Sequence, residues 1–168
     1  MCSELDHLYS VLNYDKDTGQ FTWKANKGKM KSGQPAGSVM RTGYVRIFVD
    51  RRPYLAHRLA WAFFNGEHPD GYIDHVNGNR CDNRITNLRI ATHQENIWNS
   101  ECSKSNKTGL KGVHFNARDK KFIAQITVNG KRKCLGSFEN KHEAYEAYIN
   151  EARLSHGRFS ITNRGTQK

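Results

Sequence analysis

No stretch of this sequence approaches the about 20 apolar residues that a helix needs to cross a bilayer. Mean hydropathy is −0.83. A membrane-spanning class is therefore not expected. The first residues, Met-Cys-Ser-Glu-Leu-Asp, are acidic and polar, where a secretory signal would be basic and then apolar. Cysteine is scarce and irregularly spaced: Cys2, Cys81, Cys102 and Cys134, with no C-x-x-C pair. Neither a structural zinc nor a disulfide framework is indicated, and reduced thiols in a cytosol are expected. There is no repeat of 20–50 residues. No heptad pattern marks a dimer seam, so a monomer is the expectation. Acidic residues are also in short supply, 16 against 27 Lys and Arg, for a net charge of +11 and a pI near 9.7.

The length of 168 residues fits one compact domain or two small ones, and 36% hydrophobic residues argue against a single large core. The charge is unevenly spread. Residues 104–168 hold 14 of the 27 basic residues but only 5 of the 16 acidic ones. Such asymmetry suits contact with a polyanion through one part of the chain. A solvated basic surface would produce the same count.

Three segments differ in composition. In the first, 1–52, Leu5, Leu8 and Leu12 fit a short helix, and Gln20–Trp23 and Tyr44–Val49 read as strands. Lys27–Ser38 is rich in Lys, Gly and Ser and reads as a loop. In the second, 53–100, Leu55, Leu59, Ala62 and Phe63 recur at helical spacing up to Gly66. Tyr72–His75 and Leu88–Ala91 read as strands around the turn signal Asn77-Gly78-Asn79. Thr92-x-x-Glu95 is a capping box for a helix to about Ser100. A polar linker, 101–107, leads to the third segment, 108–162, and a tail, 163–168. Gly112–Asn116, Phe122–Val128 and Lys131–Leu135 read as strands, with Asn129-Gly130 as a hairpin turn. Ala144, Tyr148 and Ala152 mark a helix over Lys141–His156.

The polar residues of the middle segment are those that chemistry on a phosphate needs. Asp74 offers a carboxylate and Asn96 a carboxamide oxygen, a sparse set suited to a hard cation shared with phosphate. His75 is a candidate general base for activating water, and Asn87 a candidate to orient its ring. Each residue taken singly also fits a structural role. Neighbours on a regular strand face opposite ways, so Asp74 and His75 converge only if the strand bends.

Taken together, His57-Arg58-Leu59-Ala60-Trp61-Ala62-Phe63-Phe64, Ile73-Asp74-His75-Val76-Asn77-Gly78-Asn79, Asp82-Asn83-Arg84-Ile85-Thr86-Asn87-Leu88-Arg89 and Ala91-Thr92-x-x-Glu95-Asn96 resemble the HNH endonucleases. The closest likeness is to phage-type homing members. The resemblance covers Tyr54–Trp98. It implies a ββα-metal core holding one divalent cation, Mg²⁺ or alternatively Mn²⁺, on Asp74 and Asn96. His75 would be the general base and Asn87 its orienting partner. His93, one turn before Asn96, is the alternative ligand. His57 is assigned to packing.

In the third segment Val113, Phe115, Phe122, Ala124, Ile126, Val128 and Leu135 alternate toward one sheet face, expected against the helix. His114, Asn116, Gln125, Thr127, Arg132 and Cys134 take the other, with Lys111, Arg118 and Lys133 nearby. A polar, basic sheet face can enter a major groove, though it is also what any solvated face looks like. Gly109-Leu110-Lys111-Gly112-Val113, Phe122-Ile123-Ala124-Gln125-Ile126, Leu135-Gly136-Ser137-Phe138 and Glu143–Tyr148 resemble the AP2/ERF DNA-binding domain over Thr108–Phe159. That implies double-stranded DNA contact through Lys111, His114, Asn116, Gln125, Thr127, Arg132 and Cys134. Lys24, Lys27, Lys29, Lys31, Arg41 and Arg46 would either extend that contact, or their segment would simply cover the HNH core.

The expected fold is α+β: an N-terminal β-rich segment, a ββα-metal core, and a three-stranded antiparallel sheet packed on one helix. The expected function is a site-recognising, phage- or mobile-element-encoded DNA endonuclease that nicks one strand, acting in the cytoplasm of a bacterial host. No membrane partner and no small-molecule cofactor are implied. The alternatives are a DNA-binding regulator on a degenerate nuclease scaffold and a restriction-type HNH enzyme.

Overall fold

The fold is that of a computed structural model describing residues 4–26, 28, 30–100, 102–103 and 105–157. Cys2, Lys27, Lys29 and the 163–168 tail lie outside the described residues. Two compact units divide at His93 and Gln94, within a helix rather than after residue 100.

The first unit begins with α1 (Glu4–Val11), followed by a hairpin of β1 (Leu12–Tyr14) and β2 (Phe21–Trp23). A small sheet follows in the order β3 (Ser38–Val39), β4 (Val45–Val49) and β5 (Arg52–Leu55). The strand β5 escapes a periodicity reading because it is short and holds Pro53. Proline is tolerated there since β5 is an edge strand. Helix α2 (Ala56–Asn65) ends where Gly66 takes φ 81°, a left-handed C-cap. Strands β6 (Tyr72–His75) and β7 (Leu88–Ala91) pair antiparallel, Asp74 opposite Arg89 and His75 opposite Leu88. Helix α3 (His93–Trp98) follows.

One core joins the N-terminal segment to these elements. Leu8, Leu12, Phe21, Ile47 and Val49 pack with Ala56, Leu59, Ala60, Ile73 and Leu88. Side chains of the N-terminal segment thus pack against α2, β6 and β7.

The second unit is an antiparallel sheet of β8 (Val113–Asn116), β9 (Lys121–Val128) and β10 (Lys131–Phe138), with β9 central. Asn129 and Gly130 both take positive φ, 50° and 75°, as a tight hairpin with right-twisted strands requires. Helix α4 (Lys141–His156) starts at the Asn140 cap, whose side chain accepts from the His142 N–H. Its Ala144, Tyr148 and Ala152 are buried with Val113, Ala124 and Ile126. Phe115 departs from its expected inward place. It is 50% exposed, and its ring lies 5.1 Å from that of Phe122. The linker is not slack at Asn106, whose Nδ2 donates to the Leu110 and Val113 carbonyls at 3.0 Å each.

Candidate active site

Asp74 and His75 are neighbours on β6, and both are buried. They face different partners, as a regular strand dictates. Asp74 Oδ2 accepts from Arg89 Nε at 2.8 Å and from Nη2 at 2.7 Å across the β6–β7 pair. The His75 ring lies 5.2 Å from that of His57 and 5.9 Å from that of Tyr44.

The ring of His75 is held by Asn83 rather than by Asn87. Asn83 Oδ1 lies 3.2 Å from His75 Nε2, and Asn83 Nδ2 donates to the Cys81 carbonyl at 3.3 Å. An amide oxygen only accepts, so this contact favours the tautomer with the proton on Nε2 and the lone pair on Nδ1. Asn87 has another task. Its Oδ1 accepts from the Asn77 N–H at 2.9 Å and its Nδ2 donates to the Asp82 carbonyl at 2.8 Å. It staples the two ends of the loop between the strands.

That loop is built from short polar side chains that bond backbone nearby. Asn77 Oδ1 accepts from Asn79 N–H, and Asn79 Oδ1 from Cys81 N–H. Asp82 takes a forked pair from Arg84, Nε at 2.8 Å and Nη2 at 2.6 Å, and Asn77 Nδ2 adds a third bond. The Arg84 guanidinium hydrogen bonds hold the Asp82 carboxyl down at about 2. The N-terminal hairpin buttresses the loop from behind. Tyr14 Oη donates to the Asn83 carbonyl at 2.7 Å, and Ile85 N–H to the Lys16 carbonyl at 3.2 Å. Gly19, at φ 74°, sits so close that a Cβ there would lie 2.4 Å from Arg84 N. Tyr14 and Gly19 escape sequence reading because their contacts join segments about seventy residues apart. Arg89 was visible in the motif, but its partner was not.

Burial lowers the pKa of His75, outweighing the opposite pull of the Asn83 hydrogen bond and of Asp74. The imidazole is therefore neutral near pH 7 and able to accept a proton. His57 is pushed down to about 3, first by burial and then by His75 and Arg58. Its Nδ1 is buried with no hydrogen-bond partner.

Among the described residues no three His, Cys, Asp or Glu side chains cluster as a metal cage. What is offered is hard oxygen, the Asp74 carboxylate above all. That set suits a cation that keeps waters and shares a phosphate rather than zinc. Asn96 lies half-buried on α3, in the second unit, and His93 is exposed, its ring 5.3 Å from that of Tyr72.

On the sheet of the second unit, register settles the faces. Arg132 pairs with Thr127 and Cys134 with Gln125, and His114 shares their side. His114, Thr127, Arg132 and Cys134 are exposed, Gln125 is half-buried, and Arg118 is exposed at the β8–β9 turn. Three foreseen contact residues have protein partners. Lys133 pairs with Ile126 on the opposite face, and its ammonium reaches Glu151 of α4 at 3.0 Å. Lys111 Nζ donates to the carbonyls of Ile97, Trp98 and Ser100 at 3.0, 2.8 and 2.7 Å, capping the end of α3. Asn116 donates to Asp119 Oδ2 at 2.7 Å and accepts from Arg118 N–H, closing a turn. In the first unit Lys24 Nζ donates to the Tyr9 carbonyl, and the Arg46 guanidinium lies 4.6 Å over the Phe48 ring. Lys31 and Arg41 are exposed.

The family described as HNH endonuclease matches residues 54–97. Protein 3.8 of Escherichia phage T7 is 33% identical over 122 residues, which span 72% of this chain and 98% of that protein. An uncharacterized HNH endonuclease, L560, of Acanthamoeba polyphaga mimivirus is 30% identical over 126 residues, 74% of this chain and 64% of that one. A solved structure described as DNA binding and cleavage by the HNH homing endonuclease I-HmuI is 22% identical, with a TM-score of 0.42, over 92% of this chain and 88% of that one. The chain is a full-length relative of the phage T7 protein and carries an HNH endonuclease domain over residues 54–97.

Proposed function

We propose that the chain is a site-recognising, homing-type DNA endonuclease that hydrolyses one phosphodiester per active site, with His75 as general base. The observation that carries this reading is the buried His75 ring, braced by Asn83 next to the Asp74–Arg89 pair inside the HNH match. Nδ1 takes the proton from a water as its oxygen attacks phosphorus. The bond from phosphorus to the 3′ oxygen breaks, and that oxygen leaves with the electron pair and gains a proton from solvent. The products are a 5′-phosphate and a 3′-hydroxyl. Asp74 and, from the sequence resemblance, Asn96 would hold the divalent ion. When bound, the ion supplies charge stabilisation at the phosphate and at the leaving oxygen.

The three-stranded sheet of the second unit is the proposed AP2-like reader. Its outer face, with His114, Gln125, Thr127 and Arg132, offers hydrogen-bonding groups for base edges, and Arg118 suits a phosphate. One site cuts one strand, so a monomer nicks. Incubating a nicked product with DNA ligase tests the chemistry. Resealing without kinase or phosphatase treatment supports these ends. Ends that cannot be sealed argue for a different reaction.

A further inference from the structure

The stretch 72–91 contains two carboxylates, Asp74 and Asp82, and three guanidiniums, Arg80, Arg84 and Arg89. Each carboxylate is already engaged by an arginine. Asp74 Oδ2 receives two guanidinium nitrogens of Arg89, and both oxygens of Asp82 are spanned by Arg84. The Asp74–Arg89 pair is well buried, with side chains 6% and 13% exposed. A carboxylate neutralised in this way, out of water, gives little attraction to a free dication. A hydrated ion would have to shed water and share the Asp74 carboxylate with a fixed positive charge.

We infer that the free chain does not load its divalent ion, and that the ion enters only with a DNA phosphate. A phosphodiester brings an anionic oxygen for the ion, beside a guanidinium that suits phosphate as well as carboxylate. Phosphate and ion then bind cooperatively, and the coupling is reciprocal. The inference rests on the reading of Asp74 as a ligand.

The experiment uses Mn²⁺ as probe and the full chain, following free Mn²⁺ by electron paramagnetic resonance. His75→Ala keeps a duplex uncut, and Asp74→Ala/His75→Ala on the same duplex accounts for ions held by DNA alone. Mn²⁺ should bind the His75→Ala chain with duplex at least about tenfold more tightly than it binds the wild-type chain alone. The excess should vanish in the double variant. In Arg89→Met the free chain should gain about tenfold in Mn²⁺ affinity; if that variant does not fold, the wild-type titration still decides. Equally tight uptake by the free wild-type chain overturns the inference, as does excess uptake that survives loss of Asp74. Cleavage is scored separately. A wild-type chain that never cuts DNA in Mn²⁺ overturns the endonuclease reading, whereas one that cuts but binds Mn²⁺ alone overturns only this one.

Discussion

At the scale of single residues, the Asn83 amide oxygen braces the His75 ring. Asn83→Ala removes the acceptor at 3.2 Å from Nε2 and lets the ring turn. The expected result is a turnover loss of about 10- to 100-fold, as for other orienting partners, with duplex binding in EDTA unchanged in a gel shift. A parallel loss of binding would mean that Asn83 shapes the loop instead. The second prediction concerns His57, whose pKa falls from 6.5 unfolded to about 3 folded. The unfolded chain then binds the extra proton across that window. The stability this neutral ring contributes is complete above pH 6.5 and is lost progressively as pH falls toward 3. The slope is about 1.4 kcal/mol per pH unit for each such histidine. Thermal melts at pH 7 and pH 5 should show a clear loss at the lower pH, and His57→Phe should reduce it. The strand that carries Asp74 and His75 was legible because strand, turn and strand there have strong local signals. Asn83 was not, because a loop asparagine looks the same whether it holds a ring or caps a turn.

At the scale of elements, helix ends were the most legible feature. Gly66 stops α2, and α4 runs over the expected Lys141–His156. The strands β1, β3 and β5 were not legible: β1 follows α1 without a break, β3 has two residues, and β5 holds Pro53. Leu12 of β1 is buried in the core of the first unit, and Tyr54 of β5 packs against it. The sheet faces of the second unit followed the alternation except where β10 bulges between Cys134 and Gly136. Leu135, the bulged residue, packs against the core, and Lys133 before it lies on the helix side. Close packing of α4 on β8 depends on one missing side chain. A Cβ on Gly112, at φ 75°, would meet Tyr148 Cδ2 at 2.0 Å. Gly112→Ala should therefore cost about 2–3 kcal/mol in the second unit. Denaturant melts check this, and a change under about 0.5 kcal/mol would show that Tyr148 yields easily.

At the scale of the whole molecule, the chain is two units with separate cores and uneven charge. Basic residues are not equivalent in such a surface. Arg132 is exposed on the outer sheet face, while Lys133 next to it pairs with Glu151. Affinity for duplex should fall steeply with salt. Arg132→Ala should reduce the slope of log K against log salt by about 1 if that side chain meets phosphate. Lys133→Ala should leave the slope unchanged. A salt-independent affinity would remove the basic face from the account. The central claim is that His75 drives metal-dependent strand cleavage. Its most direct test is a supercoiled plasmid carrying candidate target DNA, treated with wild type or His75→Ala in Mg²⁺, Mn²⁺ or EDTA. The account predicts conversion to open circle in metal alone, slowed by about 10²- to 10⁴-fold in the variant, with gel-shift binding retained. Cleavage by His75→Ala at the wild-type rate, or binding without cleavage by wild type in either metal, would contradict it.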